Sequence, residues 1–232
     1  MRGVFVTGTG TDVGKTVVAA SIARRLAGEG KRVAVFKPAV TGLDDYPPAD
    51  GPKTEAGARF SAHRPDHVVL RDAAGSSQAD EEVAPYRYGP AMSPHLAASL
   101  AGEEISRERL LEGARAAADG AETLVCEGVG GLLVPLARDY LVRDFAVDLG
   151  LPLVVAASPG LGTINHTLLT LEAARAAGLE AAKVVLTPWS DEPSEIERSN
   201  RDTISVLGRV EVETLPHLDL DSFQAFPPLR EG

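Results

Sequence analysis

The stretch TGTGTDVGKT, Thr7 to Thr16, lies between an apolar run, Val4-Phe5-Val6, and a segment with helical spacing, Thr16-Leu26. A buried strand that turns through glycines into a helix opening on Gly-Lys-Thr constrains the fold more than any other part of the chain. It offers an anion backbone N–H groups and the positive end of a helix, worth about half a charge. The usual phosphate loop has a glycine five residues before its second glycine. Here that position is Thr9 and the nearest glycine is Gly8, so the loop is one residue longer. Lys15 is placed to reach terminal phosphates and the Thr16 hydroxyl to bind Mg²⁺. A mere tight turn at Gly8, Gly10 and Gly14 would not explain strand, loop, Gly-Lys-Thr and helix arriving in that order.

Further apolar runs at Val33-Phe36, Leu124-Cys126, Leu153-Ala156 and Val184-Leu186, with a weaker one at Val210-Leu215, lack polar alternation. Strands of that kind belong to a parallel sheet covered on both faces. Helical patterns stand between them at Ser106-Asp119, around Ile164, Leu168 and Leu171, and at Glu195-Leu207. The alternation predicts an α/β fold: one doubly wound, mostly parallel sheet flanked by helices, with ligands at the carboxyl ends of the strands. Residues 1–222 form one domain in this reading, and 223–232 a loosely attached tail. The Pro-, Gly-, Asp- and Ser-rich stretch Leu43-Pro90 breaks the rhythm and is expected to hold loops with one short helix near Glu55-Ser61.

The net charge of -10 argues against nonspecific nucleic-acid binding, which needs a basic surface. One cysteine, Cys126, excludes an internal disulfide and is expected to pack in its strand. No signal-peptide pattern opens the chain, and no uncharged apolar stretch approaches the ~20 residues that span a bilayer. A soluble, cytoplasmic protein with no membrane partner is the expectation.

Three more segments fall at strand ends. In FKPAVTG, Lys37 follows the second strand and would face the same edge as Lys15, with Thr41-Gly42 offering a hydroxyl and close backbone approach. Only five of the 23 basic residues are lysine, which makes a second one there notable. In LVCEGVGGLLVPL, Glu127 ends an apolar strand before Gly128, Gly130 and Gly131, well placed as a Mg²⁺ ligand across from Thr16. In GLGTINHTLLTLEA, Thr163 is read as the cap of a helix starting at Ile164, with Asn165 and His166 in its first turn. His63 and His67 are separated by Pro65, which spoils a shared helical face, and no Ser-His-Asp or Cys-His set is evident.

Together these segments resemble the dethiobiotin synthetases. The long loop Gly8-Thr16, Lys37-Pro38 with Thr41-Gly42, Ser93-Pro94-His95, EGVGGLLVPL and LGTINHT follow in that family's order from Val4 to about Ala173. The resemblance implies an ATP- and Mg²⁺-dependent ring closure of 7,8-diaminononanoate with CO₂, through a carbamate and a carbamic-phosphoric anhydride, in biotin synthesis. It implies catalytic roles for Lys15, Lys37 and Thr11. Nucleotide contacts are implied at Asp12, Val13, Gly14, Lys15, Thr16, Val17, Glu127, Gly128, Val129, Gly130, Thr187, Pro188, Pro216, His217 and Leu218. Substrate contacts are implied at Thr11, Lys37 and Thr41, and at Gly160, Leu161, Gly162, Thr163 and Asn165, whose loop reaches the substrate's carboxylate from the neighbouring subunit of a homodimer. The metal would lie on Thr16, Glu127 and an acid after the Lys-Pro strand, for which Glu55 is the candidate and Asp50 the alternative. Where many members carry a base-reading Asn, this chain has Thr187-Pro188, so weak base selectivity and use of other nucleoside triphosphates are expected.

Other readings compete. Partition and septum-positioning ATPases carry an extra lysine near the start of the loop, absent from Thr9-Gly10-Thr11. A regulatory nucleotide-binding module would not need Lys37. An amidotransferring synthetase of cobalamin biosynthesis would need a glutaminase domain, for which no room is evident.

Overall fold

The computed structural model describes residues 1–46 and 64–218. The predicted helix near Glu55-Ser61, the metal-ligand candidates Glu55 and Asp50, and the tail 223–232 lie outside the described residues.

The described sheet has six strands, all parallel: β1 (Gly3–Gly8), β2 (Val33–Phe36), β3 (Thr123–Glu127), β6 (Leu153–Ala157), β7 (Ala181–Trp189) and β8 (Glu211–Pro216), in the order β2-β3-β1-β6-β7-β8. β4 (Pro135–Ala137) and β5 (Tyr140–Leu141) make a separate antiparallel pair that the sequence reading did not anticipate. Strand order reverses around β1: the chain leaves it for the β2 edge, returns to β3 beside it, and then builds outward through β6. That is the switch point where open α/β sheets bind ligands, and β1 leads into the phosphate loop there.

Each inner strand splits its side chains between two apolar layers. Val4 and Val6 of β1 pack with Val33, Val35 and Val125 on the side of helix α1 (Lys15–Gly28). Phe5 packs oppositely with Phe36, Leu124 and Cys126. On that second face Phe5 meets Phe145 edge-on at 6.0 Å between ring centroids. Phe145 belongs to helix α6 (Val142–Leu149), which with α4 (Pro94–Leu100) and α5 (Arg107–Ala118) follows the Pro- and Gly-rich stretch. Cys126 is fully buried in β3, as expected.

Within Leu43-Pro90 the structure places two helices where the sequence predicted loops, α2 (Asp66–Ala74) and α3 (Asp80–Val83). α2 buries Val69, Leu70 and Ala73 against the layer containing α1. The connection between α2 and α3 also closes the open edge of β2. The Gln78 amide accepts from Val35 N–H at 2.9 Å and donates to Val35 C=O at 3.0 Å, copying a neighbouring strand. Lys37 N–H then donates to Val83 C=O at 2.8 Å, which fixes the backbone at the lysine.

Helix α7 (Thr163–Ala176) turns its predicted stripe inward, with Leu171 buried and Ile164 and Leu168 packed beside it. Its start differs from the prediction. The cap is Gly162 in the left-handed region, and Thr163 is the first helical residue, its buried hydroxyl 3.5 Å from that of Thr167. Helix α8 (Glu195–Gly208) opens on Ser194, which accepts from Glu197 N–H while the Glu197 carboxylate accepts from Ser194 N–H. Among the described residues no helix is long and apolar enough to cross a membrane.

Candidate active site

The loop from Gly8 to Lys15 owes its glycines to close approaches. A Cβ on Gly8 would stand 2.7 Å from Val13 Cγ2 and 2.9 Å from Lys15 Cγ, so only glycine lets the lysine stem fold back over the strand end. Gly10 has open space around it. The displaced first glycine is therefore a fit to Lys15. Gly14 caps α1 with φ of 86°, and a Cβ there would meet Thr187 Cγ2 at 2.4 Å. Lys15 Nζ donates to Gly10 C=O at 2.7 Å. Thr11 and Asp12 are exposed on the loop, Asp12 in the left-handed region at φ of 57°.

Lys37 and Glu127 come from the ends of adjacent strands, β2 and β3, and meet in the interior. Lys37 Nζ lies 2.5 Å from Glu127 Oε1, and both side chains are buried. Thr16, in the first turn of α1, donates its hydroxyl to the same oxygen at 3.0 Å. A second carboxylate completes the group: Asp66, the first residue of α2, places Oδ2 2.9 Å from Lys37 Nζ. Asp66 was not among the residues singled out from sequence, where Glu55 and Asp50 stood for the acid after the Lys-Pro strand. The one available signal was its place ahead of the short apolar pattern Val69-Leu70-Ala73.

The electrostatics follow from burial and crowding. Burial works against the Lys37 ammonium, but the carboxylates of Asp66 and Glu127 outweigh it and hold its pKa above the ordinary value. Burial alone would raise Asp66, yet Lys37, helped by hydrogen bonds from Lys37 and Thr16, holds it below the usual carboxylate range. Glu127 is pushed up by burial and by Asp66, against the pull of Lys37. Lys15 is pulled down, chiefly by burial and then by the charge of Lys37. Burial raises the phenol of Tyr46, with the charge of Asp66 adding to it. Two cations and two anions thus share one strand-end cleft, and Glu127 Oε2 is buried with no hydrogen-bond partner among the described residues. Thr16 hydroxyl, Asp66 and Glu127 form an all-oxygen donor set, which suits Mg²⁺ with its preference for one or two carboxylates plus phosphate oxygens. The orphaned Glu127 oxygen is the kind of group such a cation would satisfy.

Of the remaining predicted positions, Gly128 touches this centre and the others lie at strand ends and in neighbouring loops. Gly128 C=O lies 3.4 Å from Lys37 Nζ, and the loop it opens with Val129 and Gly130 packs Gly131 against the phosphate loop. Thr187, Pro188 and Pro216 stand at the ends of β7 and β8, where Trp189 pairs with Pro216. His217 follows, and Leu218 packs in the layer that Val13 and Val17 also touch. Thr187 itself is buried with its methyl against Gly14. Thr41 precedes Gly42, a left-handed residue, beside the bridge between Val40 and Arg87. Gly160, Leu161, Gly162 and Asn165 are exposed at the start of α7, beyond the end of β6.

Residues 2–219 match a family described as an AAA domain. Among curated proteins, the ATP-dependent dethiobiotin synthetase BioD of Bacillus subtilis is 35% identical over 209 residues, covering 89% of this chain and 83% of the relative. That of Anaeromyxobacter dehalogenans is 41% identical over 196 residues, covering 84% and 81%. The chain belongs to the dethiobiotin synthetase family. Among solved structures, a ParA family ATPase from Chlorobium tepidum TLS superposes with a TM-score of 0.55 at 16% identity, covering 97% of this chain and 88% of that one. At that identity the likeness shows the fold alone.

Proposed function

We propose that this chain is an ATP-dependent ligase of biotin synthesis that closes 7,8-diaminononanoate and CO₂ into dethiobiotin, releasing ADP and phosphate. Family membership supports the overall reaction. The observation that carries the mechanism is the ammonium of Lys37 held between Asp66 and Glu127 at the mouth of the phosphate loop.

One amine of the substrate attacks CO₂, forming a C–N bond and losing a proton to give a carbamate. A carbamate oxygen then attacks the γ-phosphorus of ATP, and the bond to the β-phosphate oxygen breaks to release ADP. The second amine attacks the carbamoyl carbon of the mixed anhydride and gives up a proton, phosphate departs with the C–O bond pair, and the cyclic urea is complete. Two anions, carbamate and γ-phosphate, must approach each other, and positive groups set in a low-dielectric cleft are the strongest means of allowing it. Lys15 holds the terminal phosphates and Lys37 lies between phosphate and carbamate. Thr11, at the outer end of the lengthened loop, and Thr41 orient the carbamate and diamine. Thr16, Asp66 and Glu127 would hold Mg²⁺, which would supply positive charge to offset that of the phosphates.

The nucleotide base lies toward Thr187-Pro188 and Pro216-Leu218. The side chain of Thr187 is spent on packing against Gly14, which supports loose base selection. A homodimer accounts for the exposure of Leu161 (95%), in the loop before α7, and of Leu169 (56%), which lies on that helix four residues after Asn165. The loop from Gly160 to Asn165 would then bind the carboxylate of a substrate seated on the neighbouring subunit.

Incubation with diaminononanoate, ATP, Mg²⁺ and ¹³C-bicarbonate tests this reading. Labelled dethiobiotin, identified by mass, is expected. A product without the label in the ureido carbon would refute it.

A further inference from the structure

Asn200, in the second turn of α8, is only 7% exposed. Its Nδ2 donates to the carbonyl of Pro159 at 2.9 Å and to that of Gly160 at 3.0 Å. A primary amide carries two N–H donors, so both go to consecutive carbonyls of the loop between β6 and α7. The loop's own backbone bonds are longer: Thr163 N–H to Gly160 C=O and His166 N–H to Gly162 C=O, both at 3.3 Å.

Peptide geometry turns this contact into an orientation. Within a trans peptide, C=O and N–H point in opposite directions, and the only cis bond among the described residues is Thr187-Pro188. With the Pro159 and Gly160 carbonyls drawn toward Asn200, the N–H groups of Gly160 and Leu161 point away from it. Neither N–H donates to a protein acceptor among the described residues, and Leu161 is 95% exposed. Two successive outward N–H groups beside the positive end of α7 suit a carboxylate.

We infer that Asn200 is a positioning residue for the substrate's carboxylate: from α8 it holds two peptide planes so that their N–H groups face the substrate. The inference rests on the dethiobiotin reading and on the loop meeting the carboxylate in it. Without the amide, the Pro159 carbonyl loses the side chain that holds it and the Gly160 carbonyl keeps only the longer bond from Thr163 N–H, so the two peptide planes are less firmly held. Asn200→Asp is nearly isosteric but its carboxylate has no donor, so it separates hydrogen bonding from packing.

The test compares wild type, Asn200→Ala and Asn200→Asp on diaminononanoate and on 2,3-diaminooctane, the same diamine without the carboxylate. Both variants are expected to raise KM for diaminononanoate about tenfold, the scale of losing one charge-assisted contact. KM for ATP and kcat should stay within about twofold, and 2,3-diaminooctane should be used equally by all three proteins. An unchanged KM for diaminononanoate, or an equal loss on both diamines, overturns the role of Asn200 while leaving the function standing. Failure of the wild type to form dethiobiotin would overturn both.

Discussion

Lys37 Nζ and Glu127 Oε1 stand 2.5 Å apart in the interior, from the ends of adjacent parallel strands, with Thr16 donating to the same oxygen. Lys37 is thereby fixed beside the first turn of α1, through the carboxylate it shares with Thr16. Lys37→Ala is expected to bind ATP near the wild-type affinity while kcat falls by about 10²–10³, the range for losing one preorganised donor. Calorimetric titration with a non-hydrolysable ATP analogue, beside steady-state turnover, separates the two. Turnover surviving in Lys37→Ala would contradict the catalytic role of Lys37.

Asp66 reaches Lys37 from α2, so it couples the segment after Leu43 to the phosphate loop. In its proposed role as an oxygen ligand for Mg²⁺ it should matter most at low metal. Asp66→Asn is expected to raise the half-saturating Mg²⁺ concentration about tenfold or more. Turnover measured across a Mg²⁺ series checks this, and an unchanged Mg²⁺ curve would remove Asp66 from the metal site.

Lys37 and Glu127 were legible in the sequence because each stands at the end of an unmistakable buried strand, and Lys15 and the loop glycines because they join such a strand to a helix. The open parallel sheet was legible for the same reason: Val4-Val6, Val33-Phe36 and Leu124-Cys126 carry apolar residues on both faces. α2 was not, since Pro65 precedes it in place of a capping side chain and its apolar pattern spans a single short run. Asp66 went unnoticed with it. Asn200 left no trace in the sequence, because its contacts lie 40 and 41 residues away and depend on how α8 lies across the end of β6. The reading of Thr163 as a cap failed because the left-handed Gly162 already turns the chain into the helix.

Thr187 is buried with its methyl on Gly14, leaving little of it for recognition of a base. kcat/KM for CTP and GTP is expected to lie within about a hundredfold of that for ATP, the modest discrimination of a site without a dedicated base contact. Competition assays with the three nucleotides measure it, and a larger preference for ATP would contradict weak selection.

Gln78 closes the outer edge of β2 through two hydrogen bonds to Val35. Gln78→Ala should cost about 1–3 kcal/mol of stability, as expected for unpaired backbone groups at a partly buried edge. Urea unfolding compared with wild type reads the loss, and an unchanged midpoint would show that water serves that edge equally well.

Asp148 accepts hydrogen bonds from Arg107 at 2.6 and 2.8 Å and from Tyr140 at 2.6 Å. The Arg107 bonds lead in holding its carboxyl below the usual range. A depressed carboxylate contributes stability above its unfolded pKa of about 3.9 and loses it as pH falls through the folded value. Stability should therefore fall below about pH 4 with a component that Asp148→Asn lacks. Thermal melts of both proteins from pH 3 to pH 7 test this, and parallel pH profiles would contradict it.

The most direct test of the central claim is the ratio of phosphate released to dethiobiotin formed, measured with and without diaminononanoate. Coupled ring closure predicts one phosphate per cyclic urea and little release without the diamine. Phosphate release at the same rate in its absence, with no cyclic urea formed, would contradict it.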